Sequence, residues 1–98
     1  MAVVDSMFVE VGRLLGRATR ASVQHENGEF VIGYREGRDI CVLVREKTWE
    51  AALALAKSRV ELVDRLVRDT GSNNVAVATA ASVPVRFVRI RRRDLGVG

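Results

Sequence analysis

Histidine, cysteine and proline each occur once in this chain, as His25, Cys41 and Pro84. A lone histidine rules out a His-based metal cluster or a His–His pair within one chain. A lone cysteine rules out an intrachain disulfide, which agrees with a reducing compartment. No apolar run approaches the roughly 20 residues that span a bilayer, and the N-terminus lacks the basic, apolar, small-residue order of a signal peptide. The expectation is a cytoplasmic protein with no membrane partner. Neither a GxGxxG run nor a P-loop lysine is present, so no cofactor is expected. Lysine is scarce as well, with two residues against fourteen arginines, and glutamine appears once. An arginine-rich chain poor in thermolabile amides fits a thermophile, although a GC-rich genome produces the same bias.

The residues that remain offer little for catalysis. Cys41 and His25 would make a nucleophile pair, but the expected strand register puts them on opposite faces, and an isolated strand cysteine usually acts as a small hydrophobe. Glu26 and Glu29 flank a turn and read as solvated rather than as an acid/base pair. No catalytic, cofactor or metal residue is assigned, and the chain is not expected to be an enzyme. The five aromatics, Phe8, Phe30, Tyr34, Trp49 and Phe87, all fall on expected core stripes. That leaves no platform on which single-stranded bases could stack.

What the chain does have is uneven charge. From Met1 to Asn74, eleven Lys and Arg face eleven Asp and Glu. From Val75 to Gly98, Arg86, Arg89, Arg91, Arg92 and Arg93 face only Asp94, so the formal net charge of +4 lies entirely in the last quarter. A localised cation cluster points to an anionic partner, DNA or RNA among them, whereas scattered charge speaks mainly to solubility. The competing reading is a sheet edge guarded by charge against edge-to-edge pairing.

The length of 98 residues, with 48% hydrophobic and 29% charged residues, indicates one globular domain. Val4, Phe8, Val11 and Leu15 recur at helical spacing, so residues 5–18 read as a helix, with Asp5 or Ser6 as its cap. Gly12 and Gly16 either form a small-residue groove in that helix or are merely tolerated. Asn27-Gly28 between two alternating runs predicts a type I′ hairpin that pairs Glu26 with Glu29, His25 with Phe30, Val23 with Ile32 and Ala21 with Tyr34. The face carrying Ser22, Gln24, Glu26, Glu29 and Arg35 should be wet.

A second hairpin at Arg35-Glu36-Gly37 is expected to pair Ile32 with Ile40 and Phe30 with Val42. Val31, Cys41 and Leu43 would then form a second apolar face. Thr48 caps a helix of about 48–70 whose stripe is Trp49, Leu53, Ala56, Val60, Val63 and Leu66 or Val67, with Gly71 as its stop. Glu61–Arg65 and Asp64–Arg68 are its expected surface pairs. Val75–Ala80 and Val83–Ile90 read as strands, the second bulged near Phe87-Val88 and edged at Pro84. A helical reading places Arg86, Arg89 and Arg93 on one side, but Val, Phe and Ile favour strand. The expected architecture is a single two-layer α+β domain over 1–98 in the order α-β-β-β-α-β-β. Its sheet is mainly antiparallel, the long helix packs on it, and residues 91–98 form a flexible basic end.

The stretch Glu29-Phe-Val-Ile-Gly-Tyr-Arg-Glu-Gly-Arg-Asp-Ile-Cys-Val-Leu-Val44, followed by Ala54-Leu-Ala-Lys-Ser-Arg-Val-Glu-Leu62, resembles the penultimate strands and closing helix of roadblock-type domains. That profilin-like family includes dynein-associated and GTPase-regulating scaffolds. The likeness covers about two-thirds of the chain. The family's opening helix and first hairpin are absent, and the two C-terminal strands would have to fill that place by circular permutation. The resemblance implies a homodimeric scaffold without a cofactor, pairing through a helix or a sheet edge, and assigns no functional residue. Two functions are therefore expected: a small interaction module, homodimeric and with a protein partner, or a nucleic-acid binder using the arginine strip.

Overall fold

The computed structural model describes residues 5–16, 19–69 and 72–97. It is an α+β fold with the order α1 (Asp5–Leu15), β1 (Arg20–Glu26), β2 (Glu29–Glu36), β3 (Asp39–Glu46), α2 (Trp49–Arg68), α3 (Asn74–Ala81) and α4 (Val85–Leu95). The first five elements follow the sequence pattern; the last two do not. Contacts divide the chain into two units, Met1–Lys57 and Ser58–Gly98, and the boundary falls inside α2.

In the first unit, α1 packs on β1 and buries Val11 and Leu15 completely. Phe8, placed on the same stripe by spacing, is instead 43% exposed. Gly16, at φ +90, ends the helix, and its N–H reaches the Gly12 carbonyl at 3.0 Å. A Cβ at Gly12 would meet nothing within 4 Å, so no second backbone of the described residues lies against it. Val4 and Gly71, also named by the sequence pattern, lie outside the described residues, as do positions 17 and 18 at the end of the expected helix.

The three strands form an antiparallel sheet in the order β1-β2-β3. The first hairpin has the expected register throughout, from Glu26 opposite Glu29 to Arg20 opposite Arg35. Both turn residues take positive φ, 52° at Asn27 and 77° at Gly28, as a type I′ turn requires. The face expected to be wet is covered in part, since Ser22 is buried beside Val23.

The second hairpin differs from expectation. Glu36 pairs with Asp39, Tyr34 with Cys41, Ile32 with Val44 and Phe30 with Glu46, so the turn is Gly37-Arg38. Gly37 has φ +63 and Arg38 is not among the positive-φ residues, the signature of a type II′ turn led by glycine. A bulge between Ile32 and Gly33 leaves Leu43 unpaired and restores the apolar alignment further along. Gly33 permits that bulge, because a Cβ there would collide with the Cys41 carbonyl oxygen. Val31 and Leu43, the expected second apolar face, are buried within the single chain, with Cys41 partly so.

Thr48 caps α2 as its sequence suggests, its Oγ1 accepting from the Ala51 N–H at 3.2 Å. Trp49 sets its ring edge-on to Phe30, 5.9 Å between centroids. The helix buries Ala52, Ala56, Val60, Val63 and Val67, a stripe at three- and four-residue steps.

In the second unit, residues expected as strands are helical. Asn73 takes an extended conformation and its side chain accepts from the Ala76 N–H at 2.8 Å, capping a run rich in alanine, the strongest helix former. Ser82 turns left-handed (φ 58, ψ 45), and Pro84 stands at the start of α4, where it needs no N–H partner, rather than at a sheet edge. The apparent change of phase at Phe87-Val88 is not a bulge. Phe87, Val88 and Arg91 form the buried stripe of a helix, and α4 carries residues 91–95, which the sequence pattern had put beyond regular structure.

Candidate nucleic-acid interface

The helix α4 holds all five arginines of the strip and sorts them by face. At about 100° per residue, Arg86, Arg89 and Arg93 lie within roughly 40° of the side opposite Arg91. The three outward residues are exposed, whereas Arg91 is 7% exposed.

Arg91 makes a fork-to-fork pair with Asp64 of α2. Its Nε donates to Oδ1 at 2.8 Å and its Nη2 to Oδ2 at 2.7 Å. Asp94, three residues on, stands 3.8 Å from its Nη1. Asp64 was expected to pair with Arg68 along the surface of α2; instead it turns to α4. Arg92 donates from Nε to Asn74 Oδ1 at 2.6 Å and from Nη2 to the Ser72 carbonyl at 2.8 Å, fastening α4 to the start of α3. Arg92 and Arg93 also lie in the last turn, where cations favour the negative end of the helix dipole.

The structure thus divides the strip. Arg91 and Arg92 hold the helix in place, and Arg86, Arg89 and Arg93 lie on its exposed face, a stretch about 10 Å long at 1.5 Å rise per residue. Spacing alone missed Asp64, Asn74 and the Ser72 carbonyl as partners. The signal that could have found the helix was the i, i+3, i+7 pattern of Arg86, Arg89 and Arg93 between Pro84, which suits a helix start, and Gly96, a good stop. Gly96 does end α4, with φ +70.

The other candidates carry less. His25 and Cys41 share a face of the sheet, contrary to expectation, but they sit opposite Phe30 and Tyr34. Four residues along β2 separate these positions by about 13 Å. His25 instead stacks obliquely on Phe30 at 4.6 Å, and Glu26 is 3.3 Å from Arg45 across the central strand. Among the described residues no group of three His, Cys, Asp or Glu is placed to hold a metal ion. No helix among them is long and apolar enough to cross a membrane. No protein-family model, curated protein or solved structure matches the chain.

Proposed function

We propose that this chain is a small non-enzymatic binding module that engages polyanions, nucleic acid foremost, through the outward arginine face of α4. The observation that carries the reading is the division of labour within one helix. Arg91 and Arg92 are anchored to Asp64, Asn74 and Ser72, while Arg86, Arg89 and Arg93 point the other way. Guanidinium groups on a fixed helix match phosphate oxygens bidentately. The rival explanation, a sheet edge guarded by charge, loses its basis because these residues are not in a strand. Binding to duplex DNA, duplex RNA and heparin, titrated with salt, tests it. With at most three phosphate contacts on duplex DNA, the log–log slope is no steeper than about −2.7. Changing Arg86, Arg89 and Arg93 together to Ala should remove most of that affinity. Unchanged affinity and slope in the triple variant would sink the reading.

A homodimeric scaffold is a second reading, supported by the α1-β1-β2-β3-α2 order that resembles the second half of roadblock-type domains. The gap in that likeness is not filled by C-terminal strands, since residues 74–81 and 85–95 are helical. Nor does the Val31–Leu43 face offer a docking surface, because it is buried. The remaining support is β1, an edge strand whose charges are self-complementary. Antiparallel pairing about Val23 would set Arg20 of one copy against Glu26 of the other. Light scattering should then give twice the chain mass. Arg20→Glu should shift it towards monomer, and the swap Arg20→Glu with Glu26→Arg should recover the dimer. A strict monomer at high concentration counts against this reading.

A further inference from the structure

We infer that α3, the turn 82–84 and α4 form a helix-turn-helix unit, with α4 lying in the major groove of duplex DNA. The inference rests on the polyanion reading of the α4 arginines and narrows it to one ligand and one groove.

The first support is the turn. A three- or four-residue turn between two helices is the connection this motif uses. Here the joint is Ser82-Val83-Pro84, and its bonding leaves little freedom. The Ser82 N–H reaches the Thr79 carbonyl at 3.4 Å, and the Val83 N–H reaches the Ala78 carbonyl at 3.0 Å. That pair of bonds closes the end of α3 with a left-handed residue at position 82. Val83, in the turn, is buried at 8% exposure. Pro84 then fixes the chain for entry into α4, its carbonyl accepting from the Phe87 N–H at 3.0 Å.

The second support is that both helices bury the same short pattern. Val77, Ala78 and Ala81 are buried on α3, and Phe87, Val88 and Arg91 on α4, each set spaced i, i+1, i+4. The buried side of α4 is pinned to α2 by Asp64 and to the start of α3 by Asn74. Its opposite side is the arginine ridge. A helix with side chains is about 10–12 Å across, which matches a major groove about 12 Å wide.

Position along the helix divides the roles. In this motif the N-terminal part of the second helix meets base edges. Arg89 lies in the N-terminal half of α4 and has the donor geometry for guanine O6 and N7. Arg93, in the last turn, is placed for a phosphate. Single strands fit poorly, because Phe87 is the only aromatic of residues 58–98 and is fully buried. Duplex RNA fits poorly too, since its deep, narrow major groove does not admit a helix.

The test uses the full chain with three probes at physiological ionic strength: a randomised short DNA duplex, the corresponding RNA duplex, and heparin. We expect the DNA duplex to be bound roughly tenfold or more tightly than the RNA duplex, and methylation of guanine N7 to interfere. On the DNA selected from the pool, Arg89→Ala should lose roughly tenfold and relax preference at one base pair. Arg93→Ala should weaken all sequences alike and reduce the salt slope by about 1. These side chains are exposed, so circular dichroism should be unchanged in each variant. Equal binding to all three probes, or indifference to N7 methylation, overturns the groove assignment and leaves the polyanion face standing. Binding to none of them overturns both.

Discussion

Two single residues concentrate the energetics. Arg91 is buried with its charge matched chiefly by Asp64 at 2.7 Å, and removing Asp64 takes away both short hydrogen bonds of a desolvated guanidinium and leaves the longer approach to Asp94. Asp64→Ala should therefore cost about 3 kcal/mol in urea unfolding. The double change Asp64→Leu with Arg91→Met, which removes both charges, should recover most of that loss. A double variant as unstable as the single one would show that the pair does more than compensate its own burial. Gly33 is the other residue. Any Cβ there meets the Cys41 carbonyl, whose carbon would lie only 3.1 Å away, and backbone cannot swing aside as a flexible side chain can. Gly33→Ala should cost about 2 kcal/mol or more, read from the unfolding midpoint, and a neutral effect would mean that the bulge can relax.

At the scale of elements, legibility followed how local the determining interactions are. Asn27-Gly28 sets its own turn, and the register of the first hairpin follows from a two-residue loop. The second hairpin was shifted because Gly37 leads the turn rather than following it, and because the bulge at Gly33 is visible only against the partner strand. Thr48 and the stripe to Val67 made α2 plain, since cap and periodicity agree. For α3 and α4 the signals conflicted. Val75, Val77, Val85, Phe87, Val88 and Ile90 suit strands, but Asn73, the alanines and Pro84 suit helix ends and interiors, and burial of Val77, Phe87 and Val88 decides for helix. The five arginines were identified from charge alone; which of them face outward was not legible until their element was known. Ser82 offers a sharp check of the turn. A residue other than glycine in the left-handed region is strained, so Ser82→Gly should stabilise the chain by about 0.5 kcal/mol, net of glycine's greater freedom when unfolded. Destabilisation by a similar amount would contradict the turn geometry.

For the molecule as a whole, the division into two units is also a division of charge. Residues 1–57 carry eight Lys and Arg against eight Asp and Glu, whereas residues 58–98 carry eight Arg against four acids, which accounts for the whole +4. The net positive charge of the chain therefore comes from one unit. Hydrogen-exchange mass spectrometry with heparin as ligand should show protection centred on peptides covering Val85–Leu95. Protection centred on residues 1–57 would place the binding surface elsewhere.

The tip of the first hairpin has a chemical consequence of its own. Asn27 is followed by Gly28, which has no side chain to shield its backbone nitrogen from the neighbouring amide carbonyl. The arrangement that closes the turn is therefore also the linkage most open to succinimide formation, with loss of ammonia. Hydrolysis yields aspartate or isoaspartate, either of which adds a carboxylate between Glu26 and Glu29, and the iso form lengthens a loop built for two residues. Peptide mapping of stored protein should find this ageing first at Asn27, ahead of Asn73 and Asn74, which are followed by bulkier residues.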